Sequence, residues 1–272
     1  MAPEEVSHGG PLSPGDEGLD RGAGVCRSWA RRRDAPNIHS HPGGSTISLQ
    51  AKHIDPKALF GSDHPQSLRL PGRLGLLRLR LPAGVDPLLE AMDENAPDAE
   101  ERIPYWAEAW PSGEALIRFL LSRRAPRRPG PALDLGCGLG LAGMAALRLG
   151  WDLRLGDFHE DAVELLKVNL ALNGWDPGRA LRLDWRQPPP RRWRTVLAAD
   201  VLYEAPFAAQ LADFLDAALE PGGRALIAEP HRPVAEEGLT LLAARFAGRL
   251  RAGRSRAGGR WRPVRILQLR KA

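Results

Sequence analysis

The sequence predicts an α/β protein built on a doubly wound, mostly parallel sheet. Three observations carry that prediction. From residue 132 onward, short apolar runs of strand length alternate with amphipathic segments of helical length. A loop with three alternate glycines, Gly136, Gly138 and Gly140, follows one of these runs directly and opens a helical segment. An acid, Asp157, closes the next run. In open sheets of this kind ligands bind outside the carboxyl ends of the strands, where these glycines and this acid fall.

Taken in order, residues 1–73 hold a third of the chain's 29 Gly and 25 Pro and no sustained periodicity, and they include the run Arg31, Arg32 and Arg33. They are expected to be a disordered low-complexity extension, with the folded domain over 74–272. The texture changes at Leu74, where leucine and arginine alternate at period two, as in a half-buried strand. An acidic stretch over 86–101 reads as a solvated loop. Pro111 and Ser112 begin a helix that runs to 121. Strands are then expected over 132–135, 152–156, 181–183, 195–199, 225–228 and 264–269. Between them fall helices over 141–149, 160–172, 207–219 and 234–246, with Asn173-Gly174 ending the second and Pro221 the third.

Composition sets limits on function. With 43% hydrophobic residues and eight Trp, a wholly disordered chain is excluded. The net charge of +5 comes from 34 Arg and four Lys and does not by itself indicate a nucleic-acid partner. Cys26 and Cys137 lie too far apart in character and position for a disulfide framework, so a reducing compartment is expected. With neither a secretory apolar core nor a run of 18 apolar residues, the chain reads as soluble and cytoplasmic. His159 and His231 lack metal-ligand spacing, and no metal is expected.

The loop Asp134-Leu-Gly-Cys-Gly-Leu-Gly140 resembles motif I of the class I, seven-β-strand methyltransferases. Within that superfamily, Pro104-Tyr-Trp-Ala-Glu-Ala-Trp-Pro-Ser-Gly113 is similar to the segment that precedes motif I in the family-16 protein-lysine methyltransferases. Leu183-Asp184-Trp185 and Asp200-Val-Leu-Tyr203 are similar to that group's motifs after the third and fourth strands of the fold. The resemblance implies a seven-stranded Rossmann-like sheet with an antiparallel C-terminal strand, S-adenosylmethionine as cofactor, and a lysine of a protein substrate as acceptor.

Residue by residue, it implies that Gly136, Gly138 and Gly140 admit the methionine moiety, that Asp157 holds the ribose and that Phe158 lies on the adenine. Asp184 would accept from the adenine amino group, and Trp185 and Trp110 would wall the pocket. Asp134 and Ala199 complete the cofactor set, while Asp200 and Tyr203 would face the acceptor. Because a carboxylate raises the pKa of a neighbouring amine, Asp200 is expected to orient the amine more than to act as a general base.

Other readings stay open. Trp106 and Trp110 could be packing residues, and Asp184 could cap a turn. Cys137 reads as a small residue tolerated in the loop, because no thiolate-stabilising neighbour is evident. The arginines after residue 245, with Trp261 among them, could bind an acidic partner or RNA, or simply guard an edge hairpin. The acceptor could instead be a small amine, a ribosomal protein or RNA, although Asp200-Val-Leu-Tyr203 departs from the Asn-Pro-Pro-Tyr signature of amino-directed nucleic-acid and glutamine methyltransferases. A non-catalytic binding module is the third alternative.

Overall fold

The computed structural model describes residues 64–82, 84–90, 92, 103–127, 129–257 and 259–272. Most of the expected extension, residues 1–63, lies outside the described residues, as does much of the acidic stretch. Structure nevertheless begins upstream of the boundary expected at Leu74. Strand β1 (Gln66–Arg69) pairs antiparallel with β2 (Leu76–Leu79), and Leu70 and Leu74 in the connection are buried. Four residues are too few to show a period in sequence, and β1 owes its order to its partner. In β2 the expected alternation holds, with Leu77 and Leu79 buried and Leu76 and Arg78 exposed.

Helices α1 (Val85–Glu90) and α2 (Pro111–Leu120) precede a seven-stranded sheet. The remaining elements are β3 (Ala132–Leu135), α3 (Leu141–Arg148), β4 (Leu153–Asp157), α4 (Glu160–Leu172), β5 (Ala180–Arg182), β6 (Trp193–Ala199), α5 (Phe207–Ala218), β7 (Leu219–Glu229), α6 (Ala235–Arg245), β8 (Arg249–Ala257) and β9 (Arg260–Arg270). The strand order is β5-β4-β3-β6-β7-β9-β8, with parallel pairs throughout except around β9, which is antiparallel to both neighbours. The seven strands and the reversed C-terminal strand agree with the expected methyltransferase-type sheet.

Period-two alternation divides the core between the two faces. Leu197, Leu226 and Ile266 pack with α2, α3 and α4 on one face, whereas Val196, Ile227 and Leu267 pack with α5 and α6 on the other. The chain leaves β3 for β4 on one side and returns to β6 on the other, so a crevice opens between the carboxyl ends of β3 and β6.

Two expectations need correction. The acidic stretch expected to be a solvated loop opens as α1, with Leu88 buried. Pro221 does not end α5, which stops at Ala218. Leu219 enters β7 at once, and Pro221-Gly222-Gly223 instead forms an irregularity where pairing with β6 shifts from Leu219 to Arg224. Gly222, at φ 67°, makes that shift possible. The hairpin of β8 and β9 does lie at the sheet edge, with β8 outermost. Arg265 of β9 is not among its exposed arginines but is buried against Glu229, with Nε 2.7 Å from Oε2. Among the described residues no helix is long and apolar enough to cross a membrane.

The β1–β2 hairpin docks through two asparagines four residues apart at the carboxyl end of α4, Asn169 within it and Asn173 just past it. Asn173 Oδ1 accepts from Arg78 N at 3.0 Å, and its Nδ2 donates to Arg78 O at 2.7 Å. Asn169 makes the same pair with Arg80, at 2.7 and 3.0 Å. Strand residues two apart and helix residues four apart are both separated by about 6 to 7 Å, so the side-chain amides reproduce a strand ladder. Asn169 is fully buried. Asn169→Ala should thus orphan two enclosed backbone groups and cost about 2 kcal/mol, and Asn173→Ala, at the wetter end, clearly less. Urea denaturation of the two variants checks this, and equal losses would contradict it.

Candidate functional site

At the end of β3 three alternate glycines turn the chain into α3, all with positive φ: Gly136 at 61°, Gly138 at 50° and Gly140 at 73°. A Cβ on Gly136 would lie 3.1 Å from Val201 and 3.2 Å from Trp185, and one on Gly138 would lie 3.1 Å from Trp106 O. The loop is held from below by acids. Asp134 Oδ2 accepts from Gly143 N at 2.7 Å, at the amino end of α3. Asp157 Oδ2 accepts from Gly138 N at 2.8 Å, and its Oδ1 accepts from His159 N at 3.0 Å, tying the ends of β3 and β4 together.

Burial pushes the Asp134 carboxyl up to about 7, against the lowering effect of the Gly143 N–H and with a further push from the charge of Asp157. Burial raises Asp157 too, opposed first by the N–H bonds from Gly138 and His159. The Cys137 thiol is driven well up by desolvation and then by the charges of Asp157 and Asp134, which removes it as a nucleophile.

Across the crevice Asp200 follows β6 with φ 62°, a left-handed conformation that few non-glycine residues adopt. It is buried and bound on both oxygens: Oδ1 accepts from Arg232 Nε at 2.7 Å, and Oδ2 from Ser112 Oγ at 3.1 Å. Burial raises its pKa and the Arg232 guanidinium opposes that rise. Arg232 is held in turn by Glu229, whose carboxylate accepts the backbone N–H of both His231 and Arg232. The Arg232 guanidinium lies 5.4 Å from the centre of the Trp110 ring, and Trp110 Nε1 donates to Tyr105 O at 2.8 Å.

Aromatic rings continue from there. Tyr105 sits 5.3 Å from Tyr203, Tyr203 4.9 Å from Phe207, and Phe207 5.6 Å from Trp185, in tilted or edge-on contacts. Burial raises the pKa of the Tyr203 phenol, so it stays neutral across the physiological range.

One cavity of about 440 Å³ joins the two halves. It is lined by Trp110, Asp134, Gly136, Gly138, Asp157 and Phe158, and also by Asp184, Trp185, Ala199, Asp200 and Tyr203. Gly140 is the exception among the expected residues. It faces inward, where a Cβ would strike Leu166 and crowd Leu155, so its smallness serves the approach of α3 to α4 and β4.

Two pairings were not foreseen, and Trp106, left open between packing and the site, lines the cavity. Arg186 holds Asp184, with Nε 2.9 Å from Oδ1, and places its guanidinium 4.8 Å from the Phe158 ring centre. Arg232 binds Asp200. The buried Nε1 of Trp106 has no hydrogen-bond partner among the described residues. Neither arginine sits in a motif, and only the acid two residues before Arg186 hinted at its pairing. Among the described residues no group of three or more His, Cys, Asp or Glu side chains could hold a metal ion.

A lysine methyltransferase family model matches residues 104–242, and the chain belongs to that family. The matched stretch runs from the Tyr105–Trp110 wall through the glycine turn and Asp200 to α6. Among relatives, the electron transfer flavoprotein beta subunit lysine methyltransferase of Xenopus laevis is 38% identical over 133 residues, 47% of this chain and 53% of that protein. The human protein of the same name is 33% identical over 132 residues, 48% of this chain and 50% of its own. The chain thus spans about half the length of the relatives it matches. Among solved structures, a magnesium protoporphyrin IX methyltransferase from Synechocystis aligns with a TM-score of 0.46 at 17% identity, covering 66% of this chain and 86% of that one.

The raised carboxyl of Asp134 has a stability consequence. Its folded value lies above the unfolded one, so without ligand the folded chain keeps a proton that the unfolded chain releases. Its contribution is complete below about pH 4 and declines as pH rises through about 7. Asp134→Asn, which retains an acceptor for Gly143 N, should flatten that decline. Denaturation midpoints at acid and at neutral pH test it, and parallel profiles for the two proteins would count against the assignment.

Proposed function

We propose that this protein is an S-adenosylmethionine-dependent protein-lysine N-methyltransferase whose substrate is an electron transfer flavoprotein beta subunit or a protein presenting a similar lysine. The observation that carries the reading is the single cavity that joins a glycine turn over buried acids to an aromatic wall around Asp200. Membership of the lysine methyltransferase family and the names of the relatives support it.

The residues fit the cofactor. Gly136 and Gly138 line the cavity with bare backbone, where a Cβ would press on Val201, Trp185 or the Trp106 carbonyl, and Asp157 retains lone pairs at the end of β4 for ribose hydroxyls. Phe158 offers a ring face, Trp106 Nε1 is a buried donor awaiting an acceptor, and Asp134 and Asp157 match a ligand bearing cationic centres. When bound, S-adenosylmethionine would supply an electrophilic methyl group on a sulfonium. Asp184 and Arg186 would close the adenine side, with Trp185 and Ala199 beside it.

The protein's part in transfer is alignment and exclusion of water. A lysine amine must be neutral to attack, and its pKa in water is about 10.4. Tyr105, Trp110, Tyr203 and Phe207 would enclose it in an apolar channel, which lowers that value. Asp200 would have raised it, but Arg232 offsets the charge while leaving lone pairs on the carboxylate to accept an amine N–H. Asp200 thereby orients the acceptor without trapping it as an ammonium. With few cysteines and Cys137 free, we place the protein in a reducing, cytoplasmic compartment.

Asp200→Asn keeps a residue that tolerates the left-handed backbone, so it separates charge from strain. It should lower methyl transfer at least about a hundredfold while calorimetric binding of S-adenosylmethionine persists. Undiminished transfer to the flavoprotein subunit would refute the role. Because the ligand's positive charges favour ionised carboxylates, binding should also weaken as pH falls below about 7, where Asp134 takes up its proton.

A further inference from the structure

We propose that the tip of the β8–β9 hairpin is a docking lip for an acidic patch on the protein substrate, an inference that rests on the protein-methylating reading above. Both β7 and β8 are antiparallel to β9, so β8 runs parallel to β7 and ends at the same edge of the sheet as the cavity. The tip is fastened there. Arg256 N donates to Glu114 Oε2 at 2.8 Å, and the neighbouring residue Gly113 lines the cavity.

At this place Arg254, Arg256, Arg260 and Arg262 are all exposed. Their side chains have no ion-pair partner among the described residues, and the sequence carries no carboxylate after Glu237. Three other cations of the same segment are paired: Arg245 with Asp213 and Asp216, Arg265 with Glu229 and Glu236, and Lys271 with Asp216. The lip is therefore a concentration of guanidinium charge left open to solvent.

Guarding a sheet edge accounts for arginines along β8. It can extend to Arg260 and Arg262, since β9 has no β7 partner before Arg265, but it does not account for Trp261, which is 48% exposed between them. The indole is instead part of the charged surface, with the Arg118 and Arg254 guanidiniums 4.8 and 4.2 Å from its ring centre. Two guanidiniums on the ring leave a poor platform for base stacking, the usual means of holding single-stranded nucleic acid. They hold a set of planar forks in place, which suits carboxylates. Glutamate and aspartate side chains beside the acceptor lysine would engage the lip while that lysine enters the channel one residue away.

The test uses the full chain, a fluorescent decaglutamate peptide and a single-stranded RNA of equal charge. The wild type should bind the peptide, less tightly as salt rises, and the variant R254E/R256E/R260E should lose at least about tenfold in affinity, the scale on which charge steering acts. Its calorimetric binding of S-adenosylmethionine should be unchanged, because none of the three residues lines the cavity. With the flavoprotein subunit as acceptor, KM should rise and kcat stay the same. Equal peptide binding by variant and wild type would overturn the proposal, and so would tighter binding of the RNA. If the triple reversal fails to fold, glutamine at the same three positions decides by the same readout. Loss of S-adenosylmethionine binding by the wild type would instead sink the methyltransferase reading, which the peptide measurement does not depend on.

Discussion

Between β3 and α3 the backbone passes through the left-handed region at every second residue, and Gly136, Gly138 and Gly140 each do something different with that freedom. Gly136 leaves room beneath Trp185, Gly138 brings the chain against the Trp106 carbonyl, and Gly140 lets α3 descend onto Leu155 and Leu166. A side chain at any of the three would strain the turn and displace a different neighbour. Asp157 sets the turn from the next strand by accepting the Gly138 N–H, so the end of β4 and the end of β3 are one unit. The cavity, the packing of α3 and the placing of the acids all follow from this turn.

The opposite wall obeys a different constraint. Asp200 is a buried carboxylate in a left-handed conformation, and a buried charge persists only where it is paired and hydrogen-bonded. Ser112 from α2 and Arg232 from beyond β7 meet that need, and Glu229 fixes Arg232 by accepting backbone N–H groups around it. Glu229 also holds Arg265 of β9. A chain of ion pairs and backbone hydrogen bonds thus runs from the reversed strand to Asp200 at the cavity. Under the proposed function the same contacts would adjust the chemistry, because an Asp200 without Arg232 would stabilise the ammonium form of an acceptor amine.

Local features carried much of this into the sequence. Alternate glycines after an apolar run, an acid ending the following run, Pro111 opening a helix and Gly174 closing another are each dictated within a few residues, and each appears where expected. What escaped detection depends on residues far apart in the chain. Arg232 lies 32 residues from the carboxylate it neutralises, and Asn169 lies 89 from the backbone it caps. Neither distance leaves a period or a spacing to read. Pro221 misled for a related reason: it is a reliable sign of a break but does not say whether a helix or a strand is interrupted.

From the sequence alone came the alternation of strands and helices over 132–246 and the position of the turn, because backbone preference and hydrophobic period act locally. Most of the eleven expected residues that line the cavity came instead from the resemblance of short motifs to a known family. Tertiary structure alone decided that Gly140 packs against Leu155 and Leu166 and does not line the cavity, that Asp200 is already paired, and that the arginine-rich tail divides into a buried Arg265 and an exposed set at the hairpin tip. Those outcomes turn on which groups lose water and which charges meet when the sheet closes, and burial and pairing exist only once distant segments are brought together.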